Sequence, residues 1–352
     1  MACQAAIDSV STETSDLTPL NSCLDSVLVS GKRINYYVNQ PASAPTALLV
    51  SFHGYPRDAN YTFAATLTAA KAAGAQDTLV VSPVFGVTDS KSCQADGVPA
   101  TDAAKDHVWT CSSWAAGSAS SSGVTSYAAV DALVDNLLTK YPTIQDITVA
   151  GFSAGAQFTQ RYVYVNQLPS GARFVVSSPG SYAYPDSRRA TSGGSFEVPS
   201  NSSCPSYDTW KYGMQGAPDG ASVEKYKAAN VSYLAGSDDD GDIKGAYYSI
   251  LDKSCAATLQ GGNSRLARAT TFSDYMHSVQ QVPASNHTFT QVPGCSHDVG
   301  CVFPSTQGQQ ALFGAGSGGQ AASSSGRKKG SKKSGSGAGK KSQETGSFCT
   351  IS

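Results

Sequence analysis

The segment ITVAGFSAGAQF contains the pattern G-x-S-x-G at Gly151, Ser153 and Gly155. A β-branched run precedes the pattern and a helical stretch follows it, which is the strand–turn–helix context of a nucleophile elbow. Such a turn is so tight that larger side chains in place of the glycines would collide with neighbouring backbone, and the serine hydroxyl projects above the sheet. Ser153 is therefore predicted to be a nucleophile, and a plain glycine-rich turn is the alternative.

A nucleophilic serine needs a histidine base and an acid that orients the base, and after a nucleophile elbow the acid comes first in the chain. We expect the acid just after a later strand. The run VSYLAGSDDDGD places Asp238, Asp239, Asp240 and Asp242 there. Either Asp238 or Asp239 is the candidate acid, and the other aspartates belong to the turn.

His297 lies between Cys295 and Cys301 in VPGCSHDVGC and follows the last predicted strand, where the base is expected. The two cysteines and the histidine are also potential zinc ligands. Structural zinc sites need four ligands and usually space their cysteines as Cys-x2–4-Cys, whereas five residues intervene here. We therefore predict no metal site, and a disulfide that restrains the loop carrying His297.

The segment SFHGY suggests how a developing negative charge would be stabilised. His53 and Gly54 follow an early predicted strand, in the loop whose backbone N–H groups form half of an oxyanion hole. The N–H groups of Tyr55 and Ala154 are the candidate donors, because Pro56 has no N–H to donate. His53, as the first residue of this loop, is assigned to substrate binding.

The elements that must position these residues alternate between strand and helix. A hairpin is predicted over 27–38, and helices are predicted over 127–141 and 154–168. Such alternation predicts a mostly parallel sheet with helices on both faces. The buried strands are predicted over 46–52, 78–83, 146–151, 173–178, 231–236 and 287–293.

Two regions depart from this alternation. Residues 84–126 are polar and rich in glycine and serine, and we predict an insertion closed by its own disulfide near the active site. Residues 314–352 form a Gly/Ser/Lys-rich tail that cannot bury a core and is predicted to be disordered. Residues 1–313 are then one catalytic domain. The tail is basic, and the body of the chain carries the acidic excess.

The cysteine content of the chain indicates the cellular compartment in which the protein works. Nine cysteines indicate an oxidising environment, and proximity along the chain suggests that they pair as Cys3–Cys23, Cys93–Cys111, Cys204–Cys255 and Cys295–Cys301, which leaves Cys349 free. The start MACQAAIDSV lacks the features of a signal peptide, so we expect that a secretion signal is absent from the given chain. No apolar run is long enough to predict a membrane span. Glycosylation sequons occur at Asn60, Asn201, Asn230 and Asn286.

The motifs SFHGY, GFSAG, YLAGSDDD, HTFTQVPGCSHD and CVFPSTQGQQALF occur in an order that resembles secreted α/β-hydrolases of fungi and other walled microorganisms. The group comprises single-domain esterases related to polyhydroxyalkanoate depolymerases and feruloyl esterases. The resemblance covers about residues 28–313. It implies an α/β-hydrolase fold with Ser153 as nucleophile and His297 as base. It favours Asp239 over Asp238 as the acid, and it places Tyr182 near the substrate.

The resemblance implies a secreted serine hydrolase of carboxylic esters that forms an acyl-enzyme and needs no cofactor. The ester substrate is either small or polymeric, and we expect a monomer with no nucleic-acid partner. Two alternatives stay open. One is a serine peptidase on the same fold, because the triad does not distinguish esters from amides. The other is a non-catalytic protein that binds a wall or surface and retains the scaffold.

Overall fold

The computed structural model describes residues 2–10, 14, 16–88, 93–200, 203–241 and 244–314. Apart from Gly314, the predicted basic tail lies outside these ranges, and so do Cys349, Asn201 and Asp242. The chain divides into the units Met1–Gly319 and Gln320–Ser352, and every described residue belongs to the first.

Eight of the ten strands in the described ranges form one sheet, and the other two form a short separate pair. The strands are β1 (Leu24–Val29), β2 (Lys32–Val38), β3 (Ala47–Phe52), β4 (Thr78–Val84), β5 (Asp146–Phe152), β6 (Arg173–Ser177), β7 (Arg189–Ala190), β8 (Phe196–Glu197), β9 (Asn230–Gly236) and β10 (His287–Val292). The large sheet has the order β1-β2-β4-β3-β5-β6-β9-β10.

The large sheet is mostly parallel, as the sequence predicts. β1 and β2 form the expected antiparallel hairpin, and β2 also runs antiparallel to β4. All other neighbours in this sheet are parallel. Each predicted buried strand is present, with ends that agree to within one residue. The central strands β3, β4 and β5 are almost wholly buried, which explains their continuous apolar runs.

Helices cover both faces of the sheet. Those in the described ranges are α1 (Ala2–Ser9), α2 (Ala59–Ala72), α3 (Ser126–Lys140), α4 (Ala154–Tyr162), α5 (Val223–Ala228), α6 (Cys255–Thr258), α7 (Arg265–Ser278), α8 (Val299–Val302) and α9 (Thr306–Phe313). Successive strand residues point to opposite faces. Leu48 and Val50 accordingly join a core with α3, α4 and α7, whereas Leu49 joins a core with α2, α8 and α9.

Helix ends depend on local hydrogen bonds. α3 begins where the Thr125 hydroxyl accepts a hydrogen bond from the Ala128 N–H, and it ends two residues before Pro142, close to the predicted limits. The helix predicted over 154–168 is shorter, because α4 ends at Tyr162. Beyond it the chain forms tighter turns, in which the Val165 N–H donates to the Tyr162 carbonyl three residues back.

The described part of the insertion over 84–126 contributes to the same hydrophobic core as the large sheet. A disulfide joins Cys93 to Cys111, as predicted. Trp109 and Trp114 are buried, with ring centres 5.3 Å and 4.6 Å from that of Phe85. The insertion therefore supplies aromatic packing at the end of β4.

All four predicted cysteine pairs form disulfides, namely Cys3–Cys23, Cys93–Cys111, Cys204–Cys255 and Cys295–Cys301. Such bonds are consistent with an extracellular protein. Among the sequons, the Asn60 side chain is buried and donates to the Asp96 carbonyl, so a glycan there does not fit this fold. No helix in the described part of the chain is long and apolar enough to cross a membrane.

Candidate active site

Ser153 lies in a sharp turn between β5 and α4, and its backbone is strained. Its φ of 57° and ψ of −115° are unusual for a residue with a side chain. A Cβ at Gly151 would lie 2.1 Å from the Gly155 carbonyl oxygen, and one at Gly155 would lie 2.2 Å from the Phe52 carbonyl oxygen. Glycine is therefore required at both positions, as the pattern predicts.

The structure brings Ser153, His297 and Asp239 together. The Ser153 hydroxyl is 2.8 Å from His297 Nε2, and His297 Nδ1 is 2.8 Å from Asp239 Oδ2. A carboxylate accepts only, so Nδ1 carries the proton and Nε2 is free to accept from the serine. Asp239 follows β9 and His297 follows β10, and these neighbouring parallel strands end at the same edge of the sheet.

The structure distinguishes between the two candidate acids. Asp239 is 1% exposed and bonded to the imidazole, whereas Asp238 is partly exposed and accepts from the hydroxyl of its neighbour Ser237. The Asp238 N–H donates to the Cys295 carbonyl, which ties the aspartate turn to the histidine loop. Of the two carboxylates, only that of Asp239 can orient His297.

Burial governs the electrostatics of His297. Removal from water disfavours imidazolium and lowers the pKa of His297 below the ordinary value of 6.5, although the hydrogen bond that His297 donates to Asp239 opposes this effect. Arg265 also favours the neutral ring, since its guanidinium lies 3.3 Å from the far oxygen of Asp239. The imidazole is therefore neutral near pH 7, the state that can accept a proton.

Two backbone N–H groups lie beside the serine without an acceptor among the described residues. They belong to Ala154, the first residue of α4, and to Tyr55, in the loop after β3. A Cβ at Gly54 would lie 3.7 Å from the Ser153 Cβ, so this loop faces the nucleophile. These amides are the two that the sequence predicts as oxyanion donors.

Two hydrogen bonds to the Gly54 carbonyl fix the orientation of the peptide between Gly54 and Tyr55. The Gly54 carbonyl accepts from His53 Nδ1 at 2.8 Å and from the Arg57 N–H at 3.1 Å. In a trans peptide the C=O and N–H point in opposite directions, so these bonds direct the Tyr55 N–H away from the interior. His53 Nε2 accepts from the Phe85 N–H at 3.3 Å, which fixes the proton on Nδ1.

His53 therefore has a different place from the one predicted. The side chain is 0% exposed, it does not line the cavity at Ser153, and burial lowers its pKa to about 3. Its ring packs 4.7 Å from that of Trp114 in the insertion. Instead of binding substrate, His53 supports the loop backbone, and the insertion supports His53.

Tyr182 does not reach the substrate side either. It is 0% exposed, and its ring stacks on Phe272 with centres 4.3 Å apart. Its backbone N–H and C=O are both bonded to the side chain of Gln260. The predicted contact between Tyr182 and substrate is corrected accordingly, because the ring and the backbone of Tyr182 are packed in the interior.

A cavity of about 520 Å³ opens above the serine and the histidine. The described residues that line it include Asp58, Tyr61, Asp298, Tyr247 and Ile250. None of the described residues of the insertion lines this cavity. No sequence motif marks these wall residues, and they converge only in the fold.

The loop carrying His297 is held at several points. The disulfide between Cys295 and Cys301 closes it, so both sulfur atoms are bonded to each other and the zinc alternative lacks its thiolates. The Tyr61 hydroxyl donates to Asp298 Oδ1 at 2.8 Å, and the His297 N–H donates to the Gly245 carbonyl. The ring of Phe152 lies 4.7 Å from the imidazole.

No protein-family model matches the chain, and no curated protein matches it by sequence. Solved structures do match. A poly(3-hydroxybutyrate) depolymerase from Bordetella parapertussis has a TM-score of 0.55 and 18% identity, over 79% of this chain and 85% of the other. A poly(aspartic acid) hydrolase from Sphingomonas sp. KT-1 has a TM-score of 0.55 and 18% identity, over 82% of this chain and 98% of the hydrolase. These likenesses confirm the α/β-hydrolase fold.

The first prediction concerns the disulfide around His297. In the Cys295→Ser/Cys301→Ser variant, we expect Ser153 to react about tenfold more slowly with a fluorophosphonate, because the loop no longer holds the imidazole in place. The loss of unfolding free energy should be small, about 2 kcal/mol, since the closed loop is short. Labelling rates and thermal unfolding measure the two effects.

The matched control is Cys204→Ser/Cys255→Ser, which opens a loop with a sequence separation of 51 residues. It should lose about 4 kcal/mol of stability but little serine reactivity. If the Cys295/Cys301 variant loses stability and keeps its labelling rate, the bond is a structural staple only.

Proposed function

We propose that this chain is a secreted serine hydrolase of carboxylic esters, with Ser153 as nucleophile, His297 as base and Asp239 as the orienting acid. The observation that carries the proposal is the continuous hydrogen-bond chain from Asp239 through His297 to Ser153, at the base of an open cavity. The catalytic domain is proposed to comprise residues 1–313, with 314–352 as a tail.

Acylation begins when the Ser153 hydroxyl attacks the ester carbonyl and His297 Nε2 takes its proton. Asp239 stabilises the imidazolium that forms and keeps the ring in the required tautomer. The carbonyl oxygen becomes an oxyanion, which accepts hydrogen bonds from the N–H groups of Tyr55 and Ala154. His297 then donates its proton to the leaving alcohol as the tetrahedral intermediate collapses.

Deacylation repeats these steps with water as the nucleophile. His297 takes a proton from the water, the acyl–oxygen bond to Ser153 breaks, and the proton returns to the serine. The reaction needs no cofactor, because the protein groups supply every proton transfer and the charge stabilisation.

The Gly54–Tyr55 peptide supports this mechanism because its orientation is fixed before the substrate arrives. A donor that must reorient during the reaction loses part of its stabilising effect. His53 is neutral, so its Nδ1–H donates to the Gly54 carbonyl over the working pH range. Losing one such donor typically costs about 3 kcal/mol of transition-state stabilisation.

The substrate is proposed to be an ester, either small or polymeric. One similar structure is that of a depolymerase of poly(3-hydroxybutyrate), which by its name is a polyester, and the other is that of a hydrolase of poly(aspartic acid). A serine peptidase remains the alternative within the same chemistry, and a feruloyl-type specificity is a proposal that rests on sequence motifs alone. We propose that the protein acts outside the cell as a monomer, without a nucleic-acid partner.

A fluorophosphonate probe tests the catalytic proposal, because it reacts only with an activated serine. Wild type should take one label per chain, and Ser153→Ala should take none. Hydrolysis of p-nitrophenyl esters should fall by at least about a thousandfold in the same variant. Parallel assays on feruloyl esters, polyester film and peptides define the substrate class.

The result that contradicts the proposal is an unlabelled wild type, or a Ser153→Ala variant that labels normally. Either would favour a non-catalytic surface-binding protein. Labelling combined with cleavage of peptides, but not of esters, would favour the peptidase.

A separate prediction concerns the acid. Asp239→Asn should lower kcat by about three to four orders of magnitude, because the amide stabilises the wrong imidazole tautomer and cannot balance the imidazolium charge. Asp238→Asn is the matched control and should retain nearly normal kcat, since that carboxylate does not contact the imidazole. The kcat of both variants is measured by steady-state kinetics on one ester. A large loss of kcat in Asp238→Asn with nearly normal kcat in Asp239→Asn would make Asp238 the acid.

A further inference from the structure

Two exposed apolar side chains stand at the mouth of the cavity. Tyr247 is 58% exposed and Ile250 is 56% exposed, and both line the cavity that contains Ser153 and His297. An isolated exposed apolar residue needs no explanation, but a pair that lines a catalytic cavity indicates contact with an apolar ligand.

The backbone at Tyr247 supports a functional origin for this arrangement. Its φ of 48° and ψ of 46° lie in the left-handed region, which residues other than glycine, asparagine and aspartate rarely occupy. The side chain is exposed, so interior packing does not compensate for the strained conformation. Strain that folding does not need is typical of functional positions.

Tyr247 lies on the side of the cavity where the alcohol part of an ester would leave. Its ring centre is 6.3 Å from that of His297, at an angle of 67°. His297 must deliver its proton to the leaving oxygen, so the alcohol part lies against the imidazole. A group attached to that oxygen would then contact the Tyr247 ring.

The charges on the cavity wall restrict what this group can be. Asp58 and Asp298 both line the cavity, and no Lys or Arg is among the described lining residues. A carboxylate on the substrate would meet repulsion with no cation to offset it.

We propose that Tyr247, with Ile250 beside it, is a specificity-determining residue that binds the alcohol part of the substrate, and that this part is an uncharged apolar group. The proposal rests on the proposed ester hydrolysis at Ser153. It makes a polyanion such as poly(aspartic acid) a poor substrate for this chain.

The test compares methyl acetate with benzyl acetate, which form the same acyl-enzyme and have alcohols of similar leaving ability. Wild type should have a higher kcat/KM for benzyl acetate. Tyr247→Ala should lower that kcat/KM about tenfold, and the kcat/KM for methyl acetate at most about twofold. Tyr247→Phe should retain the preference, because the ring and not the hydroxyl makes the contact.

Tyr247→Gly separates specificity from stability. It should lose the benzyl preference like the alanine variant, while its melting temperature stays equal to that of wild type or rises, because glycine adopts positive φ without strain. Leu28→Ala is the matched control. It removes an apolar side chain in β1 that is even more exposed than Tyr247 but lies outside the cavity, and it should change the kcat/KM of neither ester.

4-Carboxybenzyl acetate tests the restriction on charge. Wild type should cleave it at least about tenfold more slowly than benzyl acetate, and Asp298→Asn should narrow that ratio. Asparagine keeps the side-chain oxygen that accepts from Tyr61 and from the Gly300 N–H, so the loop bonds remain.

Three outcomes overturn the inference while ester hydrolysis stands: no benzyl preference in wild type, an equal loss on both esters in Tyr247→Ala, or rapid cleavage of the carboxylate ester. If wild type cleaves none of the acetates and takes no fluorophosphonate label, the proposed function itself fails, and the inference fails with it.

Discussion

The close contact between Gly155 and the end of β3 determines the geometry of the whole site. The first turn of α4 lies against the carbonyl oxygens of Phe52 and His53, at a distance that leaves no room for a Cβ. This contact fixes how far the Ser153 turn stands from the loop after β3. The N–H groups of Tyr55 and Ala154, which have no acceptor among the described residues, lie one on each side of this contact.

Buried side chains on both sides of that contact orient the groups of the site. Trp114 of the insertion packs on His53, His53 bonds the Gly54 carbonyl, and that peptide directs the N–H of Tyr55. On the other side, Arg265 bonds Asp239, which bonds His297 within its disulfide-closed loop. His297 and the Gly54–Tyr55 peptide are thus each oriented by a buried partner, whereas the side chains of Tyr247 and Ile250 in the cavity wall face solvent.

Sequence patterns predict the parts of this arrangement that follow from local chemistry. Apolar runs locate the strands, and the glycines around Ser153 follow from backbone sterics alone. Asp238 and Asp239 could not be separated from the residues themselves, because they differ only in burial and direction. The substrate-binding predictions for His53 and Tyr182 failed for a related reason. Their burial depends on residues distant in the chain, and no local pattern marks the wall residue Tyr247.

In the proposed mechanism a neutral, buried His297 activates Ser153, and this role should be visible in the pH dependence of fluorophosphonate inactivation. Below its pKa the imidazole is protonated and cannot accept the serine proton, so the rate must fall as pH falls. Because burial lowers this pKa, the midpoint should lie below 6.5, and the rate should be constant from there to neutral pH. In His297→Gln the rate should be low at every pH. A midpoint well above 6.5, or an unchanged pH profile in His297→Gln, would show that a neutral His297 is not the base that activates Ser153.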